Sequence, residues 1–221
     1  MRIIRKILMV LVTIILPFFF IMTAVRLLLN PVFLIVEYNL PGFPQDPYGF
    51  TKEDRLHYGN LSMQYLLNDA DISYLGDLQL PDGTSLYNQR ELSHMHDVKV
   101  LVQATIKVWI GFGIFLALMG LLSWGAKWLS EYWRAISSGG WLALGIIALV
   151  LVMVFLNFNA LFTDFHRIFF TGDTWLFYYS DSLIRLFPLP FWQDAFIFMG
   201  GFTALGGLLA ALLGRRWSLN R

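Results

Sequence analysis

The sequence predicts an all-α membrane protein with four transmembrane helices and a long, partly irregular extracytoplasmic loop subdomain between helices 1 and 2. The first observation is composition: 57% of the 221 residues are hydrophobic and 14% are charged, against roughly 45–50% and about 25% in soluble domains. The second is a set of four uncharged runs of about 20 residues, the length that a helix needs to cross a ~30 Å hydrocarbon core. The third is a strong asymmetry in the placement of basic residues.

The four uncharged runs define the predicted membrane spans, which lie approximately at residues 7–29, 100–126, 141–163 and 194–214. The first run is longer than the apolar segment of a signal peptide, and no small-residue cleavage site follows it, so we expect a retained anchor helix. The chain is then a single membrane domain over residues 1–221, with extracytoplasmic loops at 30–99 and 164–193.

The orientation follows from the basic residues. With both termini in the cytoplasm, the inner face carries eight basic residues and a single acidic one, Glu131. The rest of the chain carries eight basic and fourteen acidic residues. The eight inner bases are Arg2, Arg5, Lys6, Lys127, Arg134, Arg215, Arg216 and Arg221. Because Lys and Arg concentrate in cytoplasmic loops, this bias predicts that both termini are cytoplasmic.

The long first loop begins with an irregular stretch. Proline and glycine are dense at residues 41–44 and disfavour a regular helix, and Val32–Val36 is predicted to be extended. Thr51 followed three residues later by Asp54 resembles a capping box. A helix is therefore predicted to begin near Lys52 and to run toward Leu67.

The end of this loop predicts a second helix start. Asp82-Gly83 is typical of a tight turn. Asn88 and Glu91 then resemble a helix start that leads into the second span. A continuous helix from Gln89 to Ala126 would be ~57 Å long at 1.5 Å per residue. We therefore expect its first turns to stand above the lipid on the outer side.

The second outer loop is rich in aromatic side chains, with ten in its 30 positions. They include Phe165, Phe169, Phe170, Trp175, Tyr178 and Trp192. One interpretation is an interfacial aromatic belt, which is common where helices leave the bilayer. A second is a shallow hydrophobic wall that guides a lipid tail from the outer leaflet. The two interpretations are compatible.

All four histidines, His57, His94, His96 and His166, fall in the predicted outer segments. His94 and His166 come from two different spans that end at the same membrane face. Histidine takes and gives protons near neutral pH, so the pair is a candidate for acid–base catalysis. Asp97 follows His94 by three residues and shares its helix face, where it could orient the imidazole. The alternative is that these are ordinary interfacial histidines.

Metal binding is a further interpretation of the outer polar residues. His94, His96, Asp97 and His166 are all possible ligands, but the chain contains no HExxH spacing. No nucleotide-binding loop or serine-nucleophile motif is present, and the absence of cysteine excludes thiolate chemistry. We therefore predict no metal site, no cofactor and no nucleic-acid partner.

Several charged residues of the outer segments are candidates for substrate binding. Arg55, Arg90 and Arg167 are basic residues in loops with a surplus of acids. For each of these bases considered alone, an ordinary ion pair with a nearby acid is a sufficient explanation of its presence. Asp46 and Asp173 are either turn formers or partners for these bases.

The sequence also resembles the bacterial lipoprotein intramolecular transacylase family over essentially the whole chain. The most specific segment is 88–99, which reads Asn-Gln-Arg-Glu-Leu-Ser-His-Met-His-Asp-Val-Lys. Further segments that resemble the family are 46–51, the Phe165-His166 pair, 186–188 and 191–192.

The resemblance implies a reaction and a site. Family members move the acyl chain on the middle glycerol oxygen of a diacylglyceryl-cysteine lipoprotein to the α-amine of the same cysteine, which gives the lyso form. The family's catalytic histidines correspond to His94 and His166, one as base and the other as acid. The implied partners are a diacylated lipoprotein and outer-leaflet lipids at a bacterial cell membrane, with the site on the extracytoplasmic side. The predicted supporting or substrate-binding residues are Asp97, Arg90, Arg167, Arg55 and Asp173, of which Arg90 and Arg167 are candidates for the oxyanion.

Two other functions are consistent with the residues. One is a non-enzymatic membrane sensor or accessory protein whose outer loop binds a partner. The other is a related intermolecular acyltransferase or lipid hydrolase that uses the same histidines. A transporter is disfavoured, because the spans contain almost no ionisable residue with which to build a polar path.

Overall fold

The computed structural model describes residues 2–219, so the predicted cytoplasmic base Arg221 lies outside the described residues. Within this range the chain forms eight α-helices and no β-strand. The helices are α1 (Arg2–Leu28), α2 (Pro31–Tyr38), α3 (Lys52–Leu67), α4 (Ser73–Gly76), α5 (Gln89–Gly125), α6 (Leu129–Phe169), α7 (Ser182–Leu186) and α8 (Leu189–Leu219). Four of the helices among residues 2–219 (α1, α5, α6 and α8) are long and apolar enough to cross a membrane. The predicted all-α membrane fold with four long helices is confirmed.

The start of the first loop differs from the prediction. Residues 32–36 are helical, as part of α2, and the predicted extended stretch is wrong. Asn30 has an extended backbone and its side-chain oxygen accepts a hydrogen bond from the Val32 amide at 2.9 Å. Pro31 occupies the first helical position, where its missing N–H costs nothing because that group has no partner inside a helix. The proline therefore starts a helix here instead of preventing one.

The two predicted helix starts are confirmed. Thr51 and Asp54 form a complete capping box, in which Thr51 Oγ1 accepts from the Asp54 amide and Asp54 accepts from the Thr51 amide. At the start of α5, the Asn88 side chain accepts from the amides of Arg90 and Glu91. The Glu91 carboxylate in turn accepts from the Asn88 amide at 2.8 Å. Each box satisfies backbone amides that a helix N-terminus leaves unpaired.

The described chain divides into two compact units. The first unit consists of residues 1–26, 106–156 and 196–221. Its helices approach closely where small residues meet: a Cβ added at Gly140 would lie 2.5 Å from the Gly207 carbonyl oxygen. Ser137 also donates a hydrogen bond to the Ala211 carbonyl at 2.8 Å. Small residues and hydroxyl contacts of this kind are the usual means by which helices associate in lipid.

The second unit consists of residues 27–105 and 157–195, and it contains both candidate catalytic histidines. Its core joins α3, α4 and α7 to the beginning of α5. The buried members are Phe50, Tyr58, Tyr65, Leu66, Leu75, Leu86, Tyr87, Leu92, Met95, Leu183 and Leu186. Leu92 and Met95 flank His94 on α5, so the core of this unit fixes the helical turn that carries the histidine.

Candidate active site

His94 and His166 lie next to each other in the second unit. Their ring centroids are 6.0 Å apart and their planes differ by 23°, so the imidazoles are nearly parallel. His94 projects from the second turn of α5, and His166 projects from the last turn of α6. The pairing of two side chains that are 72 positions apart in the sequence is therefore a product of the tertiary structure.

Aromatic rings surround the histidine pair. Phe170 contacts both imidazoles, with centroids 4.9 Å from His94 and 5.5 Å from His166. Phe177 packs edge-on against His94 at 5.3 Å, and Trp175 lies 5.0 Å from His166. These rings leave His94 only 8% exposed. The second outer loop thus contributes a wall of the site.

The buried surroundings keep both imidazoles neutral at pH 7. Burial, together with a smaller contribution from the neighbouring His166, lowers the pKa of His94 to about 4. Burial also lowers the pKa of His166, although the hydrogen bond with a backbone carbonyl opposes this shift. An apolar environment disfavours a charged imidazole, and two adjacent positive charges would also repel each other. The pair therefore holds one extra proton at most.

The two rings differ in their hydrogen bonds. His166 Nδ1 lies 2.7 Å from the Phe162 carbonyl oxygen, one turn earlier on α6. In the neutral ring, Nδ1 is then the protonated nitrogen and Nε2 carries the lone pair. His94 Nδ1 is buried and has no hydrogen-bond partner among the described residues. The tautomer of His166 is fixed, and that of His94 is free.

A polar cluster joins the start of α5 to the segment before α7. Asp181 accepts hydrogen bonds from Arg90 Nη2 at 3.0 Å, from Asn88 Nδ2 at 3.2 Å and from the Tyr178 amide at 2.9 Å. Glu91, which is 1% exposed, accepts from the Leu183 amide at 2.8 Å. These contacts hold the segment that carries the site's aromatic rings against the helix that carries His94.

Arg90 is part of this cluster and is close to the site. Its guanidinium lies 5.6 Å from the ring centroid of Phe177, which itself contacts His94. It also lies 5.1 Å from the ring of Tyr178. Arg90 therefore supports the aromatic wall through a cation–π contact and the ion pair with Asp181.

Arg55 is buried and its guanidinium binds backbone carbonyl groups. It is 5% exposed and donates to the carbonyl oxygens of Arg185 and Pro44. Its guanidinium also lies 5.5 Å from the ring of Phe43. These contacts tie α3 and residues 43–44 of the first loop to α7.

Asp97, Arg167 and Asp173 are exposed in the structure. The Arg167 side chain is 71% exposed and lies 3.7 Å from Asp164 on its own helix. Asp97 makes no hydrogen bond with His94 Nδ1, which has no partner among residues 2–219. The spacing of three residues placed Asp97 near His94 on the helix surface, but His94 turns into the core and Asp97 faces outward. The predicted orienting role of Asp97 therefore has no hydrogen bond to support it.

The possible metal ligands do not assemble into a metal site among the described residues. His96 is exposed, whereas His94 is buried. Across residues 2–219, no three His, Asp or Glu side chains come together in a group that could hold a metal ion.

Several important residues were not identified from the sequence. In the sequence, Glu91 carries only the signal of a helix start, and Asp181 carries no signal that distinguishes it from other loop acids. Glu37 was also missed: it is 1% exposed, and burial together with the nearby Asp194 carboxyl raises its pKa. The signal that was available is the rarity of an acid inside an apolar run, since Glu37 follows five apolar residues.

Comparison with known proteins identifies the family. A family model described as "Lipoprotein intramolecular transacylase Lit" matches residues 10–192. The chain belongs to this family. It is therefore a lipoprotein intramolecular transacylase and a multi-pass membrane protein, and the sensor interpretation is wrong.

Individual relatives are consistent with this family. A curated protein from Aquifex aeolicus (strain VF5), described as uncharacterized, is 29% identical over 217 residues, covering 95% of this chain and 94% of its own. The in meso structure of the transacylase Lit from Bacillus cereus has a TM-score of 0.81 at 18% identity, covering 100% of this chain and 98% of its own. A Bacillus cereus Lit structure with a histidine-to-arginine mutation has a TM-score of 0.72 at 20% identity, covering 97% and 92%. At these identities the solved structures support the fold.

Proposed function

We propose that this transacylase moves the sn-2 acyl chain of a diacylglyceryl-cysteine to the α-amine of the same cysteine, using His94 and His166 as acid and base. The product is an N-acyl, S-monoacylglyceryl lipoprotein, the lyso form. The observation that carries this proposal is the imidazole pair itself: two rings 6.0 Å apart, from separate helices, inside an aromatic enclosure.

His166 is the base in this proposal. The Phe162 carbonyl accepts from Nδ1–H, so the lone pair of the neutral ring is on Nε2. Because burial lowers the pKa of His166, this nitrogen is unprotonated at pH 7 and available to accept the proton of the attacking amine. The carbonyl also fixes the orientation of the ring, which limits the geometries in which that proton is taken.

His94 is the acid toward the glycerol oxygen. Its Nδ1 has no fixed partner, so the ring can donate from one nitrogen and be reprotonated on the other. In a single step, one nitrogen of His94 accepts the proton held by His166 while the other gives its proton to the departing alkoxide, so no imidazolate forms. The pair therefore ends neutral, as it began, and no doubly charged state is needed.

The bonds and protons balance without any co-reactant. A bond forms between the α-nitrogen and the acyl carbon, and the bond between that carbon and the glycerol oxygen breaks. The amine proton finishes on the glycerol oxygen. Since the amine and the ester belong to one molecule, positioning replaces the cost of bringing two reactants together. Ester-to-amide conversion is downhill, so the proposal requires no cofactor.

The surroundings suit a lipid substrate. Aromatic side chains of the second outer loop, including Tyr178 at 70% and Tyr179 at 82% exposure, are available to diacylglyceryl chains and outer-leaflet lipid. The charge bias of the sequence supports an extracytoplasmic site, with spans near 7–29, 100–126, 141–163 and 194–214. We propose diacylated lipoprotein as the substrate and outer-leaflet lipids as the surrounding medium.

The test is expression in a bacterium that makes only diacyl lipoproteins, followed by mass spectrometry of their N-terminal peptides. We expect the lyso form with the wild type and its loss with His94→Ala or His166→Ala. His96→Ala is the matched control, because His96 is exposed on the same helix, and it should retain activity. Lyso-form product from both His94→Ala and His166→Ala would contradict the proposed mechanism.

The free α-amine of the acyl-donating lipoprotein distinguishes the proposed intramolecular transacylase from an intermolecular acyltransferase or a lipid hydrolase, because only the intramolecular enzyme requires the amine on the acyl donor. A lipoprotein whose α-amine is blocked by acetylation leaves an intramolecular transacylase with no nucleophile. We expect no reaction with that substrate, whereas a hydrolase would still release fatty acid.

A further inference from the structure

Helix α6 is interrupted at Asn157. This residue has an extended backbone, with φ −160° and ψ 81°, between two helical segments. Its side-chain oxygen accepts a hydrogen bond from the Ala160 amide at 3.1 Å. An extended residue whose side chain accepts from the amide three positions later is an N-cap. Helix α6 is therefore a proximal segment, residues 129–156, followed by a separately capped distal segment, residues 158–169.

The distal segment carries the base of the proposed mechanism. His166 and the carbonyl of Phe162 that fixes its tautomer both lie on it. Phe158 is 5% exposed and its ring lies 5.7 Å from that of Phe162, so the segment has one buried side. On the other side, Ile168 is 75% exposed. The orientation of this short helix therefore sets where the imidazole of His166 lies.

The cost of a helix break depends on its environment. In hydrocarbon, the backbone groups freed at a break have no water to bond with, so leaving them unpaired is strongly unfavourable. The flanking Phe155 and Leu156 are 75% and 80% exposed, whereas Asn157 is polar and also exposed. The proximal segment of about 28 residues is ~42 Å long at 1.5 Å per residue, more than the ~30 Å core requires. A span that ends before Asn157 is long enough without the distal segment.

The residues around the break include no proline, glycine or serine. Sharp kinks commonly arise at proline, but the sequence around Asn157 is Phe155-Leu156-Asn157-Phe158-Asn159. Asn159 is equally polar and exposed, yet the helical backbone passes through it. The difference between the two asparagines is the capping hydrogen bond, which satisfies one amide that the break leaves free.

We propose that Asn157 is a positioning residue for acyl transfer, which ends the third span at Leu156 and caps a distinct interfacial helix that holds His166 against His94. This inference rests on the proposed roles of the two histidines. It shortens the predicted span 141–163 at its outer end and places residues 158–169 at the membrane interface. Asn157 itself need not touch the substrate.

The experiment compares side chains that can and cannot cap. Asn, Asp and Ser are good N-caps, whereas Ala and Leu are poor ones. We expect Asn157→Leu to lower kcat about fivefold or more, with KM changed less than about twofold, and Asn157→Ala to have a smaller effect in the same direction. Asn157→Asp and Asn157→Ser should restore most of the wild-type kcat. Asn159→Leu is the matched control and should leave kcat unchanged.

A second readout follows the site directly. The pKa of His94, measured by NMR on ¹⁵N-histidine-labelled enzyme, is held low by burial and by His166. Displacing the distal segment should raise that pKa toward 6.5 in Asn157→Leu and leave it unchanged in Asn159→Leu. This measurement requires only folded protein and does not depend on turnover. If Asn157→Leu does not fold, Asn157→Ala provides the same comparison.

The outcomes separate this inference from the proposed function. Wild-type kcat and an unchanged His94 pKa in Asn157→Leu, with His166→Ala inactive, would overturn the positioning role alone. Equal defects in the Asp, Ser and Leu variants would overturn the capping mechanism. An active His166→Ala enzyme would instead contradict the proposed role of His166 as the base, and activity in both His94→Ala and His166→Ala would contradict the proposed mechanism, whatever the Asn157 variants do.

Discussion

The Phe162 carbonyl oxygen lies 2.7 Å from Nδ1 of His166, one helical turn away. A backbone carbonyl can only accept, so the proton of the neutral imidazole is on Nδ1 and the basic nitrogen is Nε2. Because the acceptor belongs to the backbone of the same helix, substitution of a side chain cannot easily remove it. The first three predictions below depend on this fixed imidazole or on the packing around the histidine pair, and the fourth concerns the buried Glu37.

Replacing His166 by asparagine should separate orientation from basicity. The asparagine amide can still donate toward the Phe162 carbonyl but offers no basic nitrogen. We expect kcat to fall by about 10²–10⁴, the range typical of a lost general base, with little change in KM. The measurement is the rate of lyso-form production in detergent or nanodiscs. His57→Asn, at an exposed histidine of α3, is the control and should be fully active.

The limb of the pH–rate profile that the histidines set should lie below the ordinary histidine pKa of about 6.5. Burial lowers the pKa of both imidazoles, so both stay neutral until the pH falls below their shifted values. Phe170→Asn should admit water and raise these pKa values, which moves the acid limb to higher pH. The neighbouring Phe169 is 49% exposed, so Phe169→Asn should leave the limb in place. The substrate amine titrates identically with the wild type, Phe170→Asn and Phe169→Asn, so it does not contribute to a difference between them. Identical pH–rate profiles for the wild type and Phe170→Asn would contradict the prediction.

Asp181→Ala should loosen the aromatic wall of the site. It removes the acceptor for Arg90, Asn88 and the Tyr178 amide. Because Arg90 is 38% exposed, the ion pair contributes about 1 kcal/mol or less, and most of the effect should come from the freed loop. We expect KM to rise severalfold with a modest loss of thermal stability. Asp164→Ala, at the exposed pair with Arg167, should change neither quantity.

Glu37→Gln should stabilise the protein at neutral and alkaline pH. Burial and the Asp194 carboxyl raise the pKa of Glu37 from 4.5 to about 7, so the folded state binds this proton more tightly than the unfolded state. The stabilisation that the proton provides is complete below pH 4.5 and is lost as the pH rises through about 7.

Glutamine mimics the protonated acid, so Glu37→Gln should remove the decline in Tm between pH 4.5 and 7. We expect Tm at pH 8 to rise by a few degrees, since about 1 kcal/mol corresponds to about 2–4 °C in a chain of this size. Glu53→Gln, at an exposed acid of α3, should keep the wild-type pH dependence. A Tm at pH 8 equal to or lower than that of the wild type would refute the prediction.

The sequence predicted the elements whose signals are local. Four long apolar runs predict helices, because a single segment can pair all of its own backbone groups inside lipid only as a helix. The starts of α3 and α5 were also predictable, since Thr51 with Asp54 and Asn88 with Glu91 satisfy their own helix ends within four residues. The start of α2 differs from the predicted extended stretch at residues 32–36, because Pro31 occupies the first helical position, where proline favours a helix.

The sequence by itself determined the membrane class, the four long helices and the two histidines as candidates, because hydrophobic length, charge bias and residue chemistry are properties of the chain. Only the tertiary structure decided which polar neighbours matter. Asp97 and Arg167 are near the histidines in sequence but face outward, whereas the distant Asp181 and Phe177 reach the start of α5 and His94. The physical reason is that side-chain direction and burial depend on packing between segments that are far apart in the sequence.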